Sequence, residues 1–116
     1  MSESELSIEH FRGILSDAHA YLNGLCEKWS QIIEDQSISG DMDDELQGSI
    51  RTAIGQAKLL MAQRFKQFSK LIDDCQHQSG ERVTRLADLS GFWDMISFQI
   101  DDVKKKFQKI EETCNA

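Results

Sequence analysis

DLSGFWDMISFQIDDVKKKF, residues 88–107, holds one of the two tryptophans and three of the six phenylalanines in the chain. Leu89, Phe92, Trp93, Ile96, Ile100, Val103 and Phe107 recur at spacings of three and four, which stacks them on one face of an α-helix. A helix with such a face is not stable alone in water and needs other elements to cover it. The spacing predicts a helix over about 86–112, capped by Thr84 or Asp88. Phe92 and Trp93 are adjacent and so lie about 100° apart round the helix. Both are buried only if the stripe is wide there, as in a helix caught between two others; otherwise Trp93 is left partly exposed as an interface anchor.

The rest of the chain reads as that cover. Phe11, Ile14, Leu15, Ala18, Leu22, Leu25, Cys26, Trp29 and Ile32 or Ile33 predict an amphipathic helix over about 7–34. Ser7 is its N-cap, with Glu9 in the first turn. Gly13 and Gly24 fall inside it, as close-packing points or weak spots. Residues 35–45, DQSISGDMDDE, lose periodicity and read as a loop, pinned by Ile38 and Met42, with Asp41 or Asp43 capping the next helix. A second stripe of Leu46, Ile50, Ala53, Ala57, Leu60, Met61, Phe65, Phe68, Leu71, Ile72 and Cys75 predicts a long helix over about 43–76, close to 50 Å at ~1.5 Å per residue. Gly48 and Gly55 mark a bend or frayed start in it. Residues 77–85 form a second loop, with His77 exposed and Gly80 suited to positive φ. No stretch alternates as a half-buried strand does. Three helices and two connections of about ten residues predict one domain, residues 1–116, folded as an all-α, antiparallel up-down-up three-helix bundle.

Composition narrows the function classes. At 116 residues, 40% hydrophobic and 28% charged, the chain fits one globular domain. It has no apolar run near the ~20 residues that span a bilayer, and its acidic start is unlike a signal peptide, so a soluble intracellular protein is expected. The net charge of −7 is uneven: residues 1–45 hold eleven acids and two bases, a net of −9, and residues 46–116 a net of +2. That balance disfavours nucleic acid as a partner. Proline is absent, which suits long unbroken helices. Cys26, Cys75 and Cys114 are too scattered for a disulfide framework or a zinc site; Cys26 and Cys75 read as packing residues.

The sequence offers no chemistry. It has no glycine-rich phosphate loop, no HExxH and no CxxC, and His10, His19 and His77 are not spaced as metal ligands. No nucleophile sits beside a candidate base. Asp73-Asp74 and Asp101-Asp102 read as solvated or ion-paired neighbours. Neither catalysis, a cofactor, a metal nor a small-molecule substrate is expected. Binding features remain. Lys104, Lys105, Lys106 and Lys109 complement the negative end of the third helix and pair with Asp101 and Asp102 at i,i+4. The alternative is that they form a basic patch, shared with Lys66 and Lys70, that meets an acidic protein partner.

LLMAQRFKQF (59–68) followed by DLSGFWDMISFQIDDVKKKF (88–107) resembles the homology domain of the guanylate kinase-associated protein family, also called SAPAP or discs-large-associated proteins. The pairing of an LLM-x-x-[KR]-F-x-x-F helix with a DL-x-GFWD helix is specific, and the resemblance covers residues 11–110. RTAIGQAKLLM (51–61), LIDDC (71–75) and GFWDMISFQIDDV (91–103) are closer to the mitotic branch, hepatoma up-regulated protein, than to the neuronal scaffolds.

The resemblance implies a non-catalytic helical domain from a microtubule-associated protein of the mitotic spindle, in the cytoplasm and cytoskeleton or the nucleus. The neuronal branch would instead imply a postsynaptic scaffold that links discs-large-type proteins. Family members are much longer, so the chain is expected to be a single excised domain. The family's best-known binding motifs are the repeats bound by guanylate-kinase-like domains, a C-terminal PDZ ligand and a basic microtubule-binding region. None is present here, and TCNA is not a PDZ ligand of the expected type. Two uses of the domain follow: docking another protein through Lys66, Lys70, Lys105 and Lys106, or self-association through a spare apolar strip that includes Trp93. Direct microtubule binding is not expected, because tubulin and this chain are both acidic.

Overall fold

The computed structural model describes residues 7–40, 42–78 and 83–115; of 37–39 it describes the backbone alone. Helix α1 runs Ile8–Ser39, α2 Asp44–Ala62, α3 Arg64–His77 and α4 Leu86–Asn115, and there is no strand among the described residues.

Ser7 holds the predicted cap, its hydroxyl accepting the His10 N–H at 3.0 Å. Helix α1 then continues past the expected end near Glu34. It stops where Gly40 takes φ +74° and donates its N–H to Gln36 O at 2.7 Å. Nothing in residues 35–39 breaks a helix, and Gly40 is the first residue suited to the left-handed stop. The first loop is shorter for that reason. Of its two candidate caps, Asp41 lies outside the described residues and Asp43 accepts the Leu46 N–H at 2.7 Å. Met42 packs on the core, and the Ile38 side chain lies outside the described set.

The expected second helix is divided. Gln63, at φ −111° and ψ −71°, separates α2 from α3. The hydrogen-bond ladder still crosses the joint, from Gln63 N–H to Leu59 O at 2.9 Å and from Gln67 N–H to Gln63 O at 3.0 Å. The physical reason lies in the apolar pattern. Buried positions step by three and four up to Leu60, and again from Phe65 to Cys75. Between Leu60 and Phe65 the step is five, and on an ideal helix the mean face of the second set lies about 45° round from that of the first. A local distortion at Gln63 lets both sets face inward. Gly48 and Gly55, the expected bend points, are regular helix with open space where a Cβ would lie.

Neither Thr84 nor Asp88 caps α4 as expected. Asp88 acts from inside the first turn, accepting the Arg85 N–H at 2.9 Å. His77, expected in the loop, closes α3, and positive φ falls on Gln78 at 53°. Gly80 is outside the described residues.

Residues from all four helices fill the core. The predicted stripes supply it, with Ile54 and Ile110 added. Phe68 is its hub: it meets Phe11 edge-on at 6.0 Å, stacks on Phe92 at 5.6 Å and lies against Trp93 at 5.6 Å. Phe92 and Trp93 are half-buried rather than fully enclosed. Between α1 and the α2–α3 pair, Arg12 bonds Asp73 and Gln76, His19 faces Phe65, and the Cys26 thiol reaches Ile54 O. Between α1 and α4, Lys104 caps the Tyr21 ring and Lys28 pairs with Glu111. The molecule is a rod of 54 × 27 × 17 Å with a radius of gyration of 17.5 Å, above the ~13 Å of a compact domain near this length.

Candidate protein-interaction surface

The charged side chains of the sequence reading fall at two levels along the rod. Lys66 and Lys70 flank Phe68 on α3, so they sit at the level of Phe92 and Trp93. Lys66 is exposed with no ion-pair partner among the described residues, and Lys70 pairs with Asp74 at 3.5 Å. Lys104 to Lys109 begin eleven residues beyond Trp93 on α4, about 17 Å further at ~1.5 Å per residue. Lys104 is held over the Tyr21 ring at 4.8 Å, a cation–π contact that also bridges α1 to α4. Lys106 bonds Asp102 one turn back. Lys105 is exposed, and no bond joins it to Asp101. Lys106 and Lys109 line a depression of about 790 Å³ beside the start of α2, with Asp43, Glu45, Leu46, Ser49, Thr52, Ile110 and Thr113. Acids and bases face one another there, so its charge is largely balanced. The structure therefore separates Lys66 and Lys70, which point away from inward-facing Phe68, from Lys106 and Lys109 beside the α2 start and from Lys104 over Tyr21 of α1.

A second depression, about 450 Å³, lies between α2 and α4 at the Gln63 joint. Leu60 and Val103 form its floor. Leu59 and Phe98 form its walls and are 56% and 77% exposed. Gln56, Gln63, Arg64, Gln99 and Asp102 complete the lining. The sequence reading passed over this groove, although its signal was available. Phe98 lies two positions from both Ile96 and Ile100, so on a helix it points away from their stripe. Leu59 precedes buried Leu60 and is turned about 100° from it.

Among the described residues no three histidine, cysteine or acidic side chains are placed to hold a metal ion. Cys26 and Cys75 are buried, and burial pushes both thiols above their ordinary pKa, with Lys58 opposing at Cys26 and Asp88 reinforcing at Cys75. A raised thiol pKa suits a packing residue and is the reverse of an activated nucleophile. Cys114 is exposed in the last turn of α4. No helix among the described residues is long and apolar enough to cross a membrane.

The profile of the family described as "Guanylate-kinase-associated protein (GKAP) protein" matches residues 19–115. The chain is 44% identical over 109 residues to human Disks large-associated protein 5, covering 91% of this chain and 12% of that protein. It is 40% identical over 109 residues to the mouse Disks large-associated protein 5, covering 94% of this chain and 13% of the relative. With mouse Disks large-associated protein 1 the identity is 34% over 86 residues, 74% of this chain and 9% of that one. The chain thus spans only a small part of the length of the relatives it matches.

Proposed function

The chain belongs to the guanylate-kinase-associated protein family, and from that premise we propose that it is a non-catalytic protein-interaction and structural domain of a scaffold-type protein. We place the parent among microtubule-associated proteins of the mitotic spindle, in the cytoplasm and cytoskeleton. The support is the higher identity to Disks large-associated protein 5 than to Disks large-associated protein 1, together with the segments 51–61 and 91–103. In this reading residues 1–116 are one domain, an up-down-up bundle in which α2 and α3 act as one distorted helix. The contacts of Arg12 with Asp73, of Cys26 with Ile54 and of Lys28 with Glu111 support that path.

The observation that carries a docking role is the exposure of Lys66 and Lys105 without acidic partners among the described residues. Ion pairs on the surface add little to stability, so charges left free are available to a partner. The test is affinity capture from dividing cells with this domain as bait, beside two copies reversed to glutamate, one at Lys66 and Lys70 and one at Lys105 and Lys106. A spindle protein kept by the wild type and lost by one copy is the expected result and locates the face. Equal capture by all three refutes a lysine-dependent docking role.

A further inference from the structure

Resting on the reading of the domain as a docking module, we propose that the groove between α2 and α4 at the Gln63 joint receives one acidic amphipathic helix from another protein, with apolar side chains between Leu59 and Phe98 and a carboxylate on Arg64. Large apolar side chains exposed side by side mark an interaction site more than isolated ones do. Here two stand on facing helices above an apolar floor. A channel between two packed helices accepts the ridge of a third, which is how amphipathic helices are commonly recognised.

Charge and hydrogen bonding specify the occupant further. Asp102 in the lining is bonded to Lys106. The Arg64 guanidinium meets only the neutral Gln67 amide, at 2.9 Å. Arg64 is therefore the lining charge that no opposite charge answers among the described residues. An occupant that supplies a carboxylate there gains a charge-assisted bond. Gln99 Oε1 is buried without a donor among the described residues, so turning that amide into the groove sacrifices no bond at that atom. Asp94 and Asp101, one turn either side of Phe98, are exposed, and they direct the acidic edge of the incoming helix away from α4, towards Arg64 at the start of α3.

The test uses the 116-residue chain and a displayed library of 20-residue peptides. Apolar residues are fixed at helical spacings of three and four, and all other positions are random. Selected peptides are expected to carry Asp or Glu beside the apolar stripe. Leu59→Ser or Phe98→Ser should weaken them at least tenfold without moving the unfolding midpoint, since both side chains are exposed. Arg64→Glu should weaken them several-fold, and a peptide with its acid changed to lysine should recover that loss. Peptides with no acidic preference, or with equal affinity for Leu59→Ser and Phe98→Ser, overturn the proposal. So does a concentration-dependent dimer in sedimentation that Phe98→Ser abolishes. Loss of cellular capture in the lysine-reversed copies, with peptides indifferent to Leu59→Ser, overturns the groove alone; groove binding with no spindle protein captured overturns the spindle reading alone.

Discussion

Phe68→Ala removes the ring on which α1, α3 and α4 converge. Phe68 is fully buried, and its ring touches Phe11 from α1 and Phe92 and Trp93 from α4. Truncating a buried phenylalanine costs about 3–5 kcal/mol through lost transfer energy and the cavity left behind. Aromatic pairs add about 0.5–1.5 kcal/mol beyond burial. The neighbouring rings stand on two different helices, so the gap closes only if both shift. That places the cost at the upper end, about 5 kcal/mol. A chain of this length has a total stability of about 6–17 kcal/mol at ~0.05–0.15 kcal/mol per residue. The variant should therefore lose about 30% of it or more. Urea titration followed by tryptophan fluorescence reads the change, since Trp93 lies beside the deleted ring. With m near 2 kcal/mol/M, the midpoint should fall by about 2.5 M. Phe98→Ala is the matched control: the same atoms are removed from a site 77% exposed, and the change should stay within about 0.5 kcal/mol. A cost below about 1 kcal/mol at Phe68, or an equal cost at Phe98, would refute the assignment of faces on α3 and α4.

Gly13→Ala and Gly24→Ala should each stabilise the domain by about 0.5–1 kcal/mol, read as a raised urea midpoint, because both lie mid-helix with open space for a Cβ. Destabilisation at either would restore the close-packing role that the open space removes. Stability should also decline as pH rises beyond the ordinary thiol value of 9.0. There the unfolded chain releases the Cys26 and Cys75 protons while the folded chain keeps them, so the contribution is present below that pH and lost above it. Urea midpoints from pH 7 to 10 should fall less steeply in a Cys26→Ala, Cys75→Ala variant, and in the native protein a thiol reagent should label Cys114 first.

Much of the fold was legible because helix formation and the choice of buried face are local matters. Side chains three and four apart share a face wherever the helix is placed. The stripes through Leu22, Cys26 and Trp29, through Ile50, Ala53 and Ala57, and through Leu89, Ile96 and Phe107 therefore appear in the core as the spacing predicts. The caps at Ser7 and Asp43 were legible for the same reason, since each acts on an N–H three residues away. The five-residue step from Leu60 to Phe65 was also in the sequence. Its consequence at Gln63 depends on both halves of that helix being held against one core, which no local rule imposes.

The candidate site was less legible. Lys66, Lys70 and Lys104 to Lys109 can be listed as a basic set from the sequence, but their separation depends on which turn of α3 meets which turn of α4. That register is set by Phe68 seating against Phe92 and Trp93, residues more than twenty positions apart. The groove walled by Leu59 and Phe98 exists only because the register brings two outward-facing side chains, one from each helix, above the same stretch of floor. Sequence alone determined the helices, their inward faces and the family; tertiary packing decided which exposed residues became neighbours, because contact between distant segments is fixed by how whole faces interlock.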